Sequence, residues 1–338
     1  MKVARLYSVG DVRIGEEADP AVPDGETLLE IASVGLCGSD LHRFGEGVLG
    51  LEALQRPLVP GHEFSGVIAS GPRRGQLVAA DPAQTCGRCE MCAIGDHNLC
   101  LHSRFAGAGT QDGALRELAS WPTELLYPLP DHFSTADGAM LEPLTVALGA
   151  LDFAHLRAGS SVTIVGGGPI GLFLVQLARA SGASQVVVVE PLPHRREAAL
   201  RFGADVVLDP AGADDEAIRE ATRGRGADVS FEVAGTKQAM DIALRSTRPG
   251  ARVVIVGIPS NDEMAFSASL ARTRGLTLYM QFRTRATFER VISLVQRKII
   301  DVSSMVTAHY PLDKTSDAFA VANVRAGLKV VVDPTGDI

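Results

Sequence analysis

A basic excess is missing from this chain. Its 338 residues carry 32 Lys and Arg against 40 Asp and Glu, a formal net charge of -8 with a pI near 5.5. A nucleic-acid backbone must be met by a basic face, so it is excluded as the main partner. The apolar core of a signal peptide is missing too. Met1-Lys2-Val3-Ala4-Arg5 brings charge at once, and a cytoplasmic, reducing location is expected. An unbroken membrane span is a third absence. Residues 158–178 hold no charge and approach the length of about 20 that a bilayer requires, but Gly166-Gly167-Gly168-Pro169 stands at their centre. That run predicts a strand, a tight turn and a new helix, with no membrane partner. Cysteine is scarce, at five, and a disulfide framework belongs to small secreted chains.

What is present fits a soluble protein with a large core. Hydrophobic residues make up 46% and charged residues 21%, the length suggests two domains, and the acidic balance fits a small-molecule substrate. Four cysteines stand as Cys86-x2-Cys89-x2-Cys92-x7-Cys100, with Gly87 and Gly95 inside the run. A short, turning backbone can bring four thiolates around one zinc, so a closed structural site is predicted over a lobe at about 84–103. A disulfide pair or four unrelated core cysteines are the blander readings. Cys37 stands alone upstream, in Gly35-Leu36-Cys37-Gly38-Ser39-Asp40, and is followed by Gly61-His62-Glu63. A thiolate with an imidazole is a usual opening for a catalytic zinc that keeps one position free. Core filler for Cys37 and surface decoration for the His–Glu pair are the alternatives.

From about Ser160 short β-branched runs alternate with helical stretches. Strands are predicted at Val162–Val165, Val186–Val189, Val206–Leu208, Val229–Val233, Val253–Val256 and Leu276–Met280. Helices are predicted at Pro169–Ser181, Arg195–Phe202, Asp214–Thr222 and Thr236–Ser246, with Gly182 and Gly203 as stops. The pattern is that of a doubly wound α/β parallel sheet. The first part differs, with strand candidates at Val3–Tyr7, Thr27–Val34, Phe64–Ser70 and Gln76–Ala80 and many Gly and Pro, like a β-rich barrel. The tail shows one helix, Thr287–Arg297, and a strand, Lys329–Asp333, and is expected to return to the first domain. The division expected is 1–145, 146–284 and 285–338.

Gly166-Gly167-Gly168-Pro169-Ile170-Gly171 fits G-x-G-x-x-G directly after a strand and at the start of a helix. The first glycine makes the turn, the second admits a pyrophosphate to the helix N-terminus, and the third lets helix pack on strand. Nineteen residues past Gly171 comes Glu190, placed to accept from an adenosine ribose diol and repel a 2′-phosphate, which favours NAD over NADP. Arg195, with Arg196, argues mildly the other way; a solvated helix start or stacking on adenine is its other reading. Val256 and Gly257, closing the strand at Val253–Val256, are further cofactor candidates.

Taken together, Gly35-x-Cys37-Gly38-Ser39-Asp40-x-His42, Gly61-His62-Glu63, the four-cysteine lobe, the glycine motif and Leu141-Glu142-Pro143-Leu144 resemble the zinc-containing medium-chain dehydrogenase/reductase family. Glu142 in that last motif resembles the polyol, or sorbitol, dehydrogenase branch. The resemblance implies a Rossmann domain inserted in a β-rich GroES-like catalytic domain, two zincs per chain, and a homodimer or homotetramer formed through edge strands of the cofactor domain. It implies that Cys37, His62 and Glu63 ligate the catalytic zinc, directly or through water, with Glu142 as ligand or water-holder and Asp40 orienting His62. It implies reversible oxidation of a secondary alcohol to a ketone by hydride transfer to NAD, Ser39 accepting the hydroxyl proton and His42 passing it to solvent. Ser39 as a helix N-cap and His42 as a surface histidine are the blander roles.

Phe282-Arg283 resembles the polyol enzymes, whose arginine contacts substrate hydroxyls. Thr284 stands where a tyrosine is usual and Arg43 where an aromatic is expected, which departs from sorbitol enzymes. Ser39, Arg43, Glu142 and Arg283 fit a hydroxyl-rich substrate such as a polyol or sugar derivative. A sugar acid (aldonate) is the alternative, an L-threonine-type amino acid a further one, and a catalytically silent zinc and dinucleotide-binding protein is the reading of a different class.

Overall fold

The computed structural model describes residues 1–49, 52–54, 56–260, 262–283 and 285–336; Thr284 lies outside them. The chain divides into two compact units, Met1–Thr145 with Thr284–Ile338, and Val146–Arg283.

In the first unit the strand Glu26–Gly35 is the hub. It pairs antiparallel with Glu63–Ile68, Leu118–Pro122 and Lys329–Asp333. Leu77–Ala80 and Leu126–Pro128 extend the sheet on one side, and Val306–Pro311 adds in parallel on the other. Alternation of side chains, shifted by an irregularity between Ile31 and Ser33, puts Leu29, Ile31 and Val34 into one core with Phe64 and Ile68. Trp121 meets Phe64 edge to face at 5.4 Å, and its indole N–H donates to the Asp81 carbonyl at 2.9 Å, so a large apolar side chain is buried with its one donor satisfied.

Two tail elements escape the sequence reading. Val306–Pro311 is only half buried, as an outer strand of the sheet. Thr315–Asn323 starts without a side-chain cap bond at Lys314, so no start signal marks it, yet Phe319 is buried and stacks on Phe44 at 4.9 Å. The helix Leu141–Ala154 also escapes. It is apolar on nearly every side, which hides the 3.6-residue period, and Pro143 sits in its first turn, where a missing N–H is harmless.

In the second unit six parallel strands, Ser161–Val165, Gln185–Val189, Val206–Leu208, Ala227–Glu232, Thr247–Ile255 and Thr277–Met280, stand in the spatial order 3-2-1-4-5-6. The helices Pro169–Ala180, Pro193–Arg201, Asp215–Ala221 and Lys237–Ser246 connect the first five strands. Ser161–Val165, Gln185–Val189 and Ala227–Glu232 are buried on nearly every side and need continuous β-branched runs, which is why the sequence displays them, whereas the outer strands Val206–Leu208 and Thr277–Met280 are only partly buried or exposed. The second helix starts two residues before Arg195 because Pro193 at its first position has helical φ built in. Gly182 and Gly203, at φ of 83° and 109°, end the first two helices. In each case the glycine N–H and the next one return to the last turn: Gly182 to Arg179 and Ala183 to Ala178, Gly203 to Leu200 and Ala204 to Ala199. A short helix, Ala268–Thr273, precedes the last strand. Residues 158–178 are thus a strand, a turn and most of a helix, and among the described residues no helix is long and apolar enough to cross a membrane.

Candidate active site

Strand pairing in the first unit brings three distant positions to one place. Gly35 is the register partner of both Glu63 and Val331, so the ends of Glu26–Gly35, Glu63–Ile68 and Lys329–Asp333 meet. Cys37 follows the hub strand and forms the N-cap of the helix Gly38–Glu46. The Asp40 carboxylate, fully buried, accepts the Cys37 N–H at 3.1 Å and the Gly61 N–H at 3.3 Å, and its Oδ2 lies 3.6 Å from His62 Nδ1. Sulfur, imidazole and carboxylate of Cys37, His62 and Glu63 all come within 4.8 Å of one another. Gly35 is required beside them, since a Cβ there would sit 2.2 Å from Glu63 Oε2.

Sequence reasoning missed Lys329. Its ammonium donates to both Glu63 oxygens, at 2.7 and 2.5 Å, and to the Leu36 carbonyl at 3.1 Å, with both side chains buried. A lone charge at the head of the apolar run Val330-Val331-Val332 was the available signal. Glu142 is buried at the start of its helix but is not one of the three clustered donors. Burial pushes its carboxyl up to about 8, His62 and Lys329 opposing and Glu63 and Asp81 adding to the shift. Burial opposes a charged His62, yet Asp40 and Cys37 outweigh it and hold the imidazole well above its ordinary range. Cys37, His62 and Glu63 present their donor atoms to a common point that a metal cation would fit. A thiolate, an imidazole and a carboxylate, with a further carboxylate close by, are donors that suit zinc with an open position.

Ser39 is the second residue of the helix rather than its cap and is half-buried. His42, partly exposed, lies 3.2 Å from Glu46, one turn on. Arg43 is buried and donates to the Gly107 carbonyl at 3.0 Å, so it braces the fold rather than offering a free substrate contact. Arg283 belongs to the second unit, at φ 53°, with its guanidinium 4.7 Å from the Phe282 ring centre.

The four remaining cysteines are free thiols gathered within 4.8 Å. The sulfur separations Cys89–Cys92, Cys86–Cys100 and Cys89–Cys100 are 3.5, 3.5 and 3.9 Å. Four sulfurs around a zinc at about 2.3 Å stand about 3.8 Å apart, so the set fits that ion. The N–H groups of Cys86 and His102 point at Cys100 Sγ from 3.3 and 3.4 Å, which stabilises thiolate. Backbone N–H groups of Cys92 and Leu101 lower the Cys89 thiol to about 6, while burial pushes Cys92 up to about 12. Arg285 pairs with Asp96 inside the lobe at 2.5 Å.

In the second unit the cofactor candidates lie at the carboxyl ends of adjacent strands, where parallel sheets bind ligands. Gly166 takes φ 115°, and a Cβ on Gly171 would lie 1.9 Å from the Gly166 carbonyl oxygen, so helix and turn approach too closely for any other residue. Gly168 is the N-cap and Pro169 the first residue of the helix, with Ile170 next. Glu190 is buried; Oε2 accepts the Gly167 N–H at 2.6 Å and Oε1 the Leu192 N–H at 2.9 Å. A Cβ on Gly168 would come 3.8 Å from the Arg195 guanidinium. Arg196 donates to the Glu190 and Pro191 carbonyls at 2.7 Å and to Asp209 at 2.9 Å. Val256 and Gly257 donate their N–H groups to the Glu232 carbonyl at 2.8 and 3.1 Å.

Comparison with known proteins agrees with this inventory. Residues 23–131 match the alcohol dehydrogenase GroES-like domain and residues 169–297 the zinc-binding dehydrogenase domain. A sorbitol dehydrogenase of Bacillus subtilis (strain 168) is 34% identical over 99% of this chain and 97% of its own. L-idonate 5-dehydrogenase of Escherichia coli superposes with a TM-score of 0.91 at 28% identity, covering 98% of both chains. Galactitol-1-phosphate dehydrogenase of Escherichia coli does so at 0.89 and 26%, over 99% of both. Two further solved structures of this fold, at TM-scores of 0.89 and 0.91, hold NADP and NADH. A relative this similar over this much of the chain, both domain matches and a donor set that suits zinc place the chain in the zinc-containing medium-chain dehydrogenase/reductase family, in its polyol dehydrogenase-like branch.

Proposed function

We propose that the chain oxidises a secondary alcohol of a polyol or sugar derivative to a ketone, reversibly, with NAD as the hydride acceptor and two zincs per chain. The observation that carries this is the gathering of Cys37, His62 and Glu63 around a common point, with the buried Glu142 close enough to interact with His62 and Glu63. Zinc held by Cys37, His62 and Glu63, directly or through water, with Glu142 as ligand or water-holder, supplies Lewis acidity that lowers the pKa of the substrate hydroxyl. Asp40 orients His62, and Lys329 holds Glu63. Ser39 takes the hydroxyl proton and His42, near the surface, delivers it to solvent. The lobe of Cys86, Cys89, Cys92 and Cys100 holds the second zinc and keeps its loop in shape.

NAD rather than NADP is supported by Glu190, a carboxylate on the adenosine side, and by Arg196, whose Nη1 is held by two carbonyls and Asp209. Arg283 is the substrate contact we assign, on the family resemblance. A sugar acid is the second reading, favoured by the L-idonate enzyme among the similar structures. Metal analysis beside a panel of polyols, aldonates and simple secondary alcohols, each with NAD and NADP, tests this. Two zincs per chain and a polyol-selective, NAD-selective rate are expected; a chain binding zinc and dinucleotide with no turnover on any alcohol would overturn the enzymatic reading.

A further inference from the structure

One buried carboxylate in the second unit has no part in the chemistry above. Glu232 ends the strand Ala227–Glu232 with 0% of its surface exposed. Its Oε1 accepts the N–H of Ala234 at 2.8 Å and of Gly235 at 2.7 Å, while its backbone carbonyl receives Val256 and Gly257. Burying a carboxylate is costly unless donors meet it; Oε1 is met by two N–H groups while Oε2 is buried with no hydrogen-bond partner among the described residues, and successive backbone N–H groups, here with Gly235 at φ 68°, form the concave nest that holds an anion. In this protein the nest is filled by the chain's own side chain. The packing around it is tight. A Cβ on Gly257 would lie 2.1 Å from the Gly235 nitrogen and 2.6 Å from Glu232 Oε2, and a Cβ on Gly166 would lie 3.1 Å from the Val233 carbonyl carbon. The Glu232 side chain thus holds the loop after the fourth strand through Ala234 and Gly235 and packs against Gly257, while its backbone carbonyl, which a side-chain change leaves in place, ties that loop to the one after the fifth.

A dinucleotide straddles the point where strand order reverses, one mononucleotide half on each side. Glu190, after the second strand, marks the adenosine half, so the loops after the fourth and fifth strands flank the nicotinamide half. We infer that Glu232 is a positioning residue for the nicotinamide half of the cofactor, its side chain acting through Ala234, Gly235 and its packing against Gly257 without touching the cofactor. The inference rests on the dinucleotide reading above.

NADH binding, followed by fluorescence titration, and 5′-AMP binding, followed by calorimetry, test it in wild type, Glu232→Leu and Glu232→Gln, with zinc content measured alongside. Glutamine keeps an acceptor oxygen for the Ala234 and Gly235 N–H groups, and leucine keeps none. Glu232→Leu is expected to weaken NADH by about tenfold or more while 5′-AMP stays within about twofold and zinc is unchanged, and Glu232→Gln to recover most of the NADH affinity. Should the leucine variant fail to fold, Glu232→Asp, too short to reach the same N–H groups, is expected to show the same split. Unchanged NADH binding without the acceptor, equal losses of NADH and 5′-AMP, or a glutamine variant as weak as the leucine one would each overturn the inference. A wild type that bound neither NADH nor NADPH would instead overturn the dinucleotide reading, and the inference with it.

Discussion

Lys329 and Glu63 stand 266 residues apart and form an ion pair with 4% and 1% of their side-chain surfaces exposed. Removing one member of a buried pair leaves the other charge uncompensated, at about 3–5 kcal/mol. In Lys329→Met a divalent metal held at Cys37 and His62 would be a stronger substitute counter-charge for the stranded carboxylate than the His62 imidazole alone. The thermal midpoint is therefore expected to fall much further in chelated than in zinc-loaded protein; calorimetry showing equal falls in both forms would contradict this. Glu63, His62 and Cys37 were legible in the sequence because thiols, imidazoles and carboxylates in short glycine-marked motifs advertise metal chemistry. Lys329 was not, because its role is made by the pairing of Val331 with Gly35, and no local pattern encodes that partner.

At the scale of elements, the turn after Ser161–Val165 depends on Gly171. An alanine there must displace the Gly166 carbonyl, 1.9 Å from the new Cβ, and open the turn that faces the pyrophosphate. Gly171→Ala is expected to weaken NADH by more than about tenfold; a titration showing wild-type affinity would refute the assignment. The start of the same strand is pinned by Asp228, which accepts from the Ser161 N–H at 2.9 Å, Arg248 at 2.7 Å and Arg225 at 2.8 Å. Burial opposes ionisation, but Ser161, Arg248 and Arg225 outweigh it and hold the carboxyl well below its ordinary range. A folded pKa below the unfolded value of about 3.9 gives stability that is full above that value and is lost as pH falls through the folded one. Arg225 is 61% exposed, so screening keeps the effect small. Asp228→Asn should lower the melting temperature by about 2–4 °C near pH 7, with the deficit shrinking below about pH 4; a constant deficit across an acid titration would count against the mechanism. The inner parallel strands were readable because burial on both faces demands β-branched runs. Leu141–Ala154 and Val306–Pro311 were not, the first because uniform burial erases a helical period, the second because, although partly buried and exposed side chains alternate along it, none of its residues is fully buried and it lacks a strongly apolar face.

For the whole molecule, the strand Thr277–Met280 has a neighbour on one side only among the described residues, and Tyr279, Met280 and Phe282 on and after it are 38%, 64% and 49% exposed. An uncharged apolar edge of this kind invites pairing, which fits the homodimer or homotetramer that the family resemblance implies. Sedimentation velocity should find the wild type assembled and Met280→Arg shifted toward monomer; a monomeric wild type would rule the arrangement out. By itself the sequence determined which donors the chain owns and their local settings: four thiols on one short lobe, a thiol before a helix, a His–Glu pair, and a glycine turn followed by an acid. Metal and phosphate binding depend on side-chain chemistry and backbone turns encoded within a few residues, so they show in the sequence. Only the tertiary structure decided that Lys329 faces Glu63, that Arg43 is enclosed beside Gly107, and that Glu232 fills a backbone nest. Those partners are set by strand register and loop packing between segments far apart in the chain, where one residue of slip would exchange the inner face for the outer.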